Sequence, residues 1–345
     1  MGSFRILSFD GGGIRGAFAA SFVKELESCL GGSIAEYFDL IAGTSTGGLI
    51  ALALAFNIPV ETILDLYSKA GARIFGSRSS PARSPWLQKK AFKLLRWKFP
   101  ALGQSGVDIE WILAPKYGDA QLRKTLNEVF GGQTLESAHR RVVIPAIDLT
   151  KGQTVVFKTP HCPNLVRDRR FGAVEIGLAA TAAPTYFPVA TIEPGSGYVD
   201  GGLWANDPAL IAYVEADRIA KECKRDVDKP FVLDDVQVLS VGTGRPQFQL
   251  MPTAQAGILF WASELIDLIA LSQSQGVNFQ MQHLLGDRYR RVNFDLKSDW
   301  RLDDVRNVDT LLHLGREAAR EHFGAIRAEF LDKKAEPFVS FSAGA

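Results

Sequence analysis

Twice within its first 56 residues the chain runs a strand-like segment into a glycine turn and straight on into a helix-like segment. Phe4–Phe9 leads into Asp10-Gly11-Gly12-Gly13-Ile14-Arg15-Gly16, and residues 37–42 lead into Gly43-Thr44-Ser45-Thr46-Gly47. Gly16–Leu30 repeats Phe18, Phe22, Leu26 and Leu30 every four residues, and residues 47–56 are rich in Ala and Leu, so both read as helices. Strands buried on both faces are short and almost uniformly apolar. The repeated unit therefore predicts an α/β fold with a mainly parallel, covered sheet. Further strands are expected at 141–147, 154–158, 197–200, 236–241 and 289–294. Helices are expected at about 108–130, 172–182, 208–224, 258–285 and 308–334.

Composition supports a globular chain with no global polyelectrolyte character. Of 345 residues, 46% are hydrophobic and 22% charged, with 39 basic against 38 acidic. A formal net charge of +1 gives no reason to expect DNA or RNA as a partner. The longest apolar run, 49–56, is too short to span a bilayer, and the N-terminus has no charged region followed by an apolar one. Cys29, Cys162 and Cys223 are scattered with neither zinc nor disulfide spacing, which predicts free thiols in a reducing, cytoplasmic setting. No residue cluster calls for a metal, and no cofactor is expected.

The first glycine turn has two chemical readings. Gly11, Gly13 and Gly16 satisfy the dinucleotide-binding spacing, with Asp39 near the distance of a ribose-binding acid but inside the second strand segment rather than at its end. That reading makes the chain a nucleotide-dependent oxidoreductase. Alternatively, closely approaching backbone N–H groups at a helix N-terminus stabilise the oxyanion of an acyl-transfer intermediate.

The second turn is G-x-S-x-G between a strand and a helix, the context that exposes a nucleophilic serine on a sharp elbow. Ser45 is the candidate nucleophile, with Gly43 and Gly47 shaping the turn. None of the five histidines falls on an obvious strand-end loop except His161, within Thr159-Pro160-His161-Cys162-Pro163. Asp200, at the end of a short strand and followed by Gly201-Gly202, is better placed to act as the base. Standing alone, Asp-Gly-Gly is most often a hairpin turn. A thioesterase, a general esterase and a non-catalytic binding module remain compatible with the same residues.

Taken together, the three motifs resemble the patatin-like phospholipases. These carry a D-G-G-G-x-R-G loop, a G-x-S-x-G elbow and a later D-G-G or D-G-A. The likeness runs from about residue 4 to residue 245 and includes residues 179–184 (AATAAP) and Val241-Gly242-Thr243-Gly244. It departs at Asn206-Asp207-Pro208, where family members commonly have Asn-Asn-Pro. The resemblance implies a three-layer α/β/α sandwich with a mainly parallel central sheet. It implies a Ser45–Asp200 dyad without histidine, an oxyanion hole from the Gly11, Gly12 and Gly13 loop with Arg15 holding it, and calcium-independent A1/A2-type cleavage of phospholipid acyl esters. Residues 157–161 and Arg167, Arg169 and Arg170 resemble bacterial patatin-like effectors of anti-phage signalling, which are switched on by cyclic oligonucleotides. That narrower likeness implies a cyclic di- or trinucleotide activator touching these arginines and action at the inner face of the membrane. Homo-oligomerisation is left open.

One stretch differs in composition. Residues 66–107 carry nine basic residues and no acidic one, and read as an insertion into a single domain of about 345 residues. Within it, 86–99 (WLQKKAFKLLRWKF) has the pattern of an interfacial amphipathic helix, open to reading as a membrane contact, a lid, an activator or oligomer interface, or a helix packed on the core. The part after about 250 is expected to be mainly helical.

Overall fold

A computed structural model of the chain describes residues 3–75, 115–223, 230–246, 258–296 and 300–341, the side chains of 258–264 excepted. The amphipathic-helix reading of 86–99 and most of the basic stretch lie outside the described residues.

Seven strands form one sheet: β1 Phe4–Phe9, β2 Leu40–Gly43, β3 Arg141–Asp148, β4 Gln153–Lys158, β5 Tyr198–Asp200, β6 Val236–Val241 and β7 Tyr289–Val292. Their order is β4-β3-β2-β1-β6-β7, with β5 also paired to β3. The pairs β1–β2, β1–β6, β2–β3 and β6–β7 are parallel, while β4 and β5 run antiparallel to β3. The longer helices are α1 Gly16–Leu30, α2 Thr46–Ala55, α3 Val60–Asp65, α4 Ala120–Phe130, α5 Ala173–Thr181, α6 Ala209–Glu222, α7 Ile258–Leu285 and α8 Val308–Phe330.

Strand alternation divides the core. Leu7, Phe9 and Ile41 face one cluster that contains Phe18, Phe22 and Leu26 of α1, the apolar side of α2, and Leu311, Ala319 and Phe330 of α8. Phe4, Ile6, Leu40 and Ala42 face the other, with Ala212, Ala216 and Ile219 of α6 and Val277, Met281 and Leu285 of α7. Helices on both sides of one sheet make the expected three layers. A Cβ on Gly315 would meet the Phe18 carbonyl oxygen, so α8 lies almost against the α1 backbone.

Several boundaries differ from expectation. Residues 34–37 form a 3₁₀ turn capped by the Ser33 hydroxyl, and β2 begins only at Leu40. The last strand stops at Val292, because the Asn293 side chain accepts from the Gly244 and Phe294 N–H groups instead of continuing the ladder. Residues 66–74 do not stand outside the core: Leu66, Tyr67, Ala70 and Ile74 are buried in it. Finally, Cys162 and Cys223 form a disulfide with Cα atoms 5.5 Å apart, and only Cys29 is free. The expectation of three free thiols is thus corrected. The pairing joins residues 61 apart, the loop after β4 and the residue ending α6, so spacing gave no sign of it.

Candidate active site

The parallel strands β1, β2 and β6 all deliver their C-terminal ends to one edge of the sheet, where open α/β folds form their binding crevice. β1 supplies Asp10 and the glycine loop, β2 supplies the Ser45 elbow, and β6 supplies Gly242-Thr243-Gly244. β5, laid antiparallel on β3 with Asp200 opposite Ala146, brings its final aspartate to the same edge.

Ser45 sits at φ 54°, ψ −126°, directly before the first residue of α2. A non-glycine residue in that region is strained and is held there only by its surroundings. The flanking glycines are what allow it. A Cβ on Gly43 would strike the Gly47 carbonyl, and one on Gly47 would lie 2.5 Å from the Asp10 carbonyl oxygen. The first glycine turn is packed as tightly: a Cβ on Gly12 would enter the Thr243 side chain, and Gly13, at φ 55°, faces the Leu302 carbonyl.

Ser45 faces Asp200, which is buried at 4% exposure, and its hydroxyl is near enough to favour the Asp200 carboxylate. Burial pushes the Asp200 carboxyl up to about 6, against the opposing pull of the Ser45 hydroxyl and of the Gly202 N–H, which donates to it at 2.8 Å. A carboxylate in that range is a competent proton acceptor near neutral pH.

Both residues line a cleft of about 70 Å³ together with Gly11, Gly12, Gly13 and Arg15. Its remaining wall is largely apolar, including Phe75, Pro184, Phe187 and Ile266. The loop's other N–H groups are committed: Gly11 donates to the Asn206 carbonyl at 3.0 Å and Ile14 to the Leu302 carbonyl at 2.8 Å. Among the described residues, the Gly12 and Gly13 N–H groups have no such acceptor. Arg15 is buried, and its Nε donates to the Gly12 carbonyl at 3.4 Å, bracing the loop from behind.

Asp10 and Asp207 were not expected as a unit. Arg291 of β7 donates to Asp10 through both Nη atoms and to Asp207 Oδ2 at 2.7 Å. Burial, with Asp207 adding to it, pushes Asp10 up to about 7, while Arg291 draws it down. Asp207 Oδ1 also accepts from the Ala209 N–H and so starts α6. The Asn-Asp-Pro departure therefore places a second carboxylate on the guanidinium that anchors the glycine loop. The available signal was Arg291 itself, the second of two arginines held between the buried Tyr289 and Val292 of one short strand.

Other sequence candidates go elsewhere. Asp39 accepts from the Arg5 N–H just before β2, at the opposite strand end from the glycine loop, which removes the ribose-binding role. His161 is buried between Thr159 and Glu215, with its ring pushed below the ordinary range by that burial. No histidine lines the Ser45 cleft among the described residues. Arg167 bonds Asp168, Arg169 pairs with Glu136 at 3.9 Å and Arg170 is exposed; all three sit beside β4, away from the cleft. No group of three or more metal-ligating side chains occurs among the described residues.

A strained serine facing a buried carboxylate, beside two uncommitted N–H groups and an apolar wall, is the arrangement of a carboxylic ester hydrolase. The chain belongs to the patatin-like phospholipase family, whose model matches residues 7–213. It is 33% identical over 336 residues to a cGAMP-activated phospholipase of Pseudomonas aeruginosa, covering 93% of this chain and 90% of that protein. A cGAMP-activated phospholipase of Vibrio cholerae is 31% identical over 345 residues, covering 92% and 91%. Among solved structures, VipD of Legionella pneumophila superposes with a TM-score of 0.42 at 11% identity, over 94% of this chain and 67% of that chain. The enzyme is accordingly a lipid acyl hydrolase.

Proposed function

We propose that the chain is a phospholipase acting at membrane surfaces through a Ser45–Asp200 dyad, and that a cyclic dinucleotide switches it on. The observation that carries the dyad is the placement of the strained Ser45 against the buried Asp200 in one cleft. Ser45 Oγ attacks the acyl carbonyl as Asp200 takes the hydroxyl proton. The oxyanion that forms is held by the Gly12 and Gly13 N–H groups. Collapse of the intermediate breaks the ester C–O bond, and the proton held by Asp200 goes to the departing lysolipid alcohol. Asp200 then removes a proton from water, which attacks the acyl-serine and releases the fatty acid.

Two observations support the switch. The relatives named above are cGAMP-activated phospholipases. The cleft, at about 70 Å³, is far below the ~300–1,000 Å³ typical of ligand sites, so an acyl chain enters only if the wall moves. No described helix is long and apolar enough to cross a membrane, so access to bilayer lipid would be from the surface. The test is fatty-acid release from phospholipid vesicles with and without cGAMP. Release by wild type that is lost in Ser45→Ala supports the dyad; equal release with and without nucleotide removes the switch.

A further inference from the structure

Behind the glycine loop lies a second cavity of about 400 Å³, within the size range of small-ligand sites. Arg15, Asn206 and Ala270 line both spaces and form the partition between them. The two differ in chemistry. The catalytic cleft is mostly apolar, whereas this cavity is walled by carboxamides. Gln275, Asn278 and Gln282 project from one side of α7, and Asn293 lies across from them. Carboxamides present a donor and an acceptor together, the combination that reads nucleobase edges.

One of these carboxamides, Asn278, is unsatisfied, and another, Asn293, is fixed in place. The Oδ1 of Asn278 has no hydrogen-bond partner among the described residues and lies below the cavity surface, so a ligand reaches it only when the amide turns over and brings it to the cavity side. The Oδ1 of Asn293 is spent on the Gly244 and Phe294 N–H groups, which fixes the orientation of its amide. At the rim, Arg245 pairs with Asp295 at 2.9 Å, but both side chains are more than half exposed. Such a pair contributes little, and a phosphodiester is a stronger partner for the guanidinium. Of the two carboxylates in the cavity wall, Asp10 is matched by Arg291 and Asp267 is partnered as well.

The cavity also touches the catalytic loop. Thr243, in its lining, donates its hydroxyl to the Gly11 carbonyl at 2.7 Å and packs where a Gly12 side chain would be. Arg15, in the partition, braces the Gly12 carbonyl. A ligand seated here bears directly on both N–H groups assigned to the oxyanion.

We propose that this polar cavity is the regulatory site, taking a cyclic dinucleotide with its bases against the Asn278 wall and a phosphate at Arg245. The proposal rests on the reading of a nucleotide-switched phospholipase and adds where the switch is thrown. A cavity of similar volume beside β4, which includes Lys158 and Arg167, is the competing location and has no contact with the glycine loop.

The experiment is calorimetric titration of the full chain with 3′,3′-cGAMP, cyclic di-GMP and cyclic di-AMP, paired with vesicle hydrolysis. Variants are Arg245→Ala, Asn278→Leu and Arg167→Ala. Each of the first two should weaken binding by about tenfold, the loss of one charge-assisted or buried hydrogen bond, and should raise the nucleotide concentration for half-activation in parallel. Arg167→Ala should do neither. Since Arg245 is a surface residue, its variant tests the site even if Asn278→Leu misfolds. Unchanged binding in Arg245→Ala, or loss in Arg167→Ala alone, overturns the location. A raised KM for lipid with unchanged nucleotide binding also overturns it, in favour of a headgroup site. Failure of the wild type to bind any of the three overturns the nucleotide switch itself while leaving the dyad standing.

Discussion

Replacing Asp200 with Asn should inactivate the enzyme and make it more stable. Asp200 is buried, and its carboxyl is raised from 3.8 to about 6, chiefly by that burial. A folded-state value above the unfolded one means the fold prefers the neutral acid. The associated stability is present in full below about 3.8 and is lost as pH rises through about 6. A shift of about two units at about 1.4 kcal/mol each gives roughly 3 kcal/mol of destabilisation in wild type at pH 8. Asn has the same shape, keeps an oxygen for the Gly202 N–H and carries no charge to bury. Urea unfolding at pH 8 should therefore show Asp200→Asn more stable by up to about 3 kcal/mol, with the difference shrinking toward zero by pH 4. Vesicle hydrolysis should fall by about 10³-fold or more, because the proton acceptor is gone. A variant less stable than wild type at pH 8 would refute the claim that burial sets the ionisation of Asp200.

Hydrolysis by wild type should rise with pH through about 6, as Asp200 loses its proton, when kcat/KM is followed on a soluble short-chain ester. Gly12→Ala should abolish labelling of Ser45 by a fluorophosphonate with the fold intact by circular dichroism, since its Cβ would displace Thr243 or the loop. Arg291→Met strands Asp10 and Asp207 as buried, unmatched carboxylates and should cost about 3–5 kcal/mol in chemical denaturation. Adding Asp207→Asn should recover part of that loss, so a double-mutant cycle that came out additive would show the three groups are not one unit.

Strong local rules made much of this molecule legible. β1, α1 and β6 occupy the ranges their apolar spacing indicates, because each is buried where its pattern says it should be. Ser45 was readable because a strained serine needs small neighbours, and those neighbours are written as Gly43 and Gly47. What escaped depends on contacts between distant segments. Arg291 reaches Asp10 across 281 positions and Asp207 across 84. Leu302 closes over the glycine loop chiefly through its backbone carbonyl, which carries no residue signature. The Cys162–Cys223 pair and the burial of residues 66–74 follow from where the chain packs. The opening of β2 was misplaced because Phe38 is apolar like a strand residue, whereas the Ser33 cap committed the preceding residues to a turn.

Ser45 and Asp200 are proposed to cleave phospholipid acyl esters together. Mass-spectrometric measurement of fatty acid and lysolipid released from phospholipid vesicles, with cGAMP present, tests it most directly in wild type, Ser45→Ala and Asp200→Asn. Wild type should give both products in equal amounts, and neither variant should give either above background. Release by Ser45→Ala at the wild-type rate would contradict the dyad.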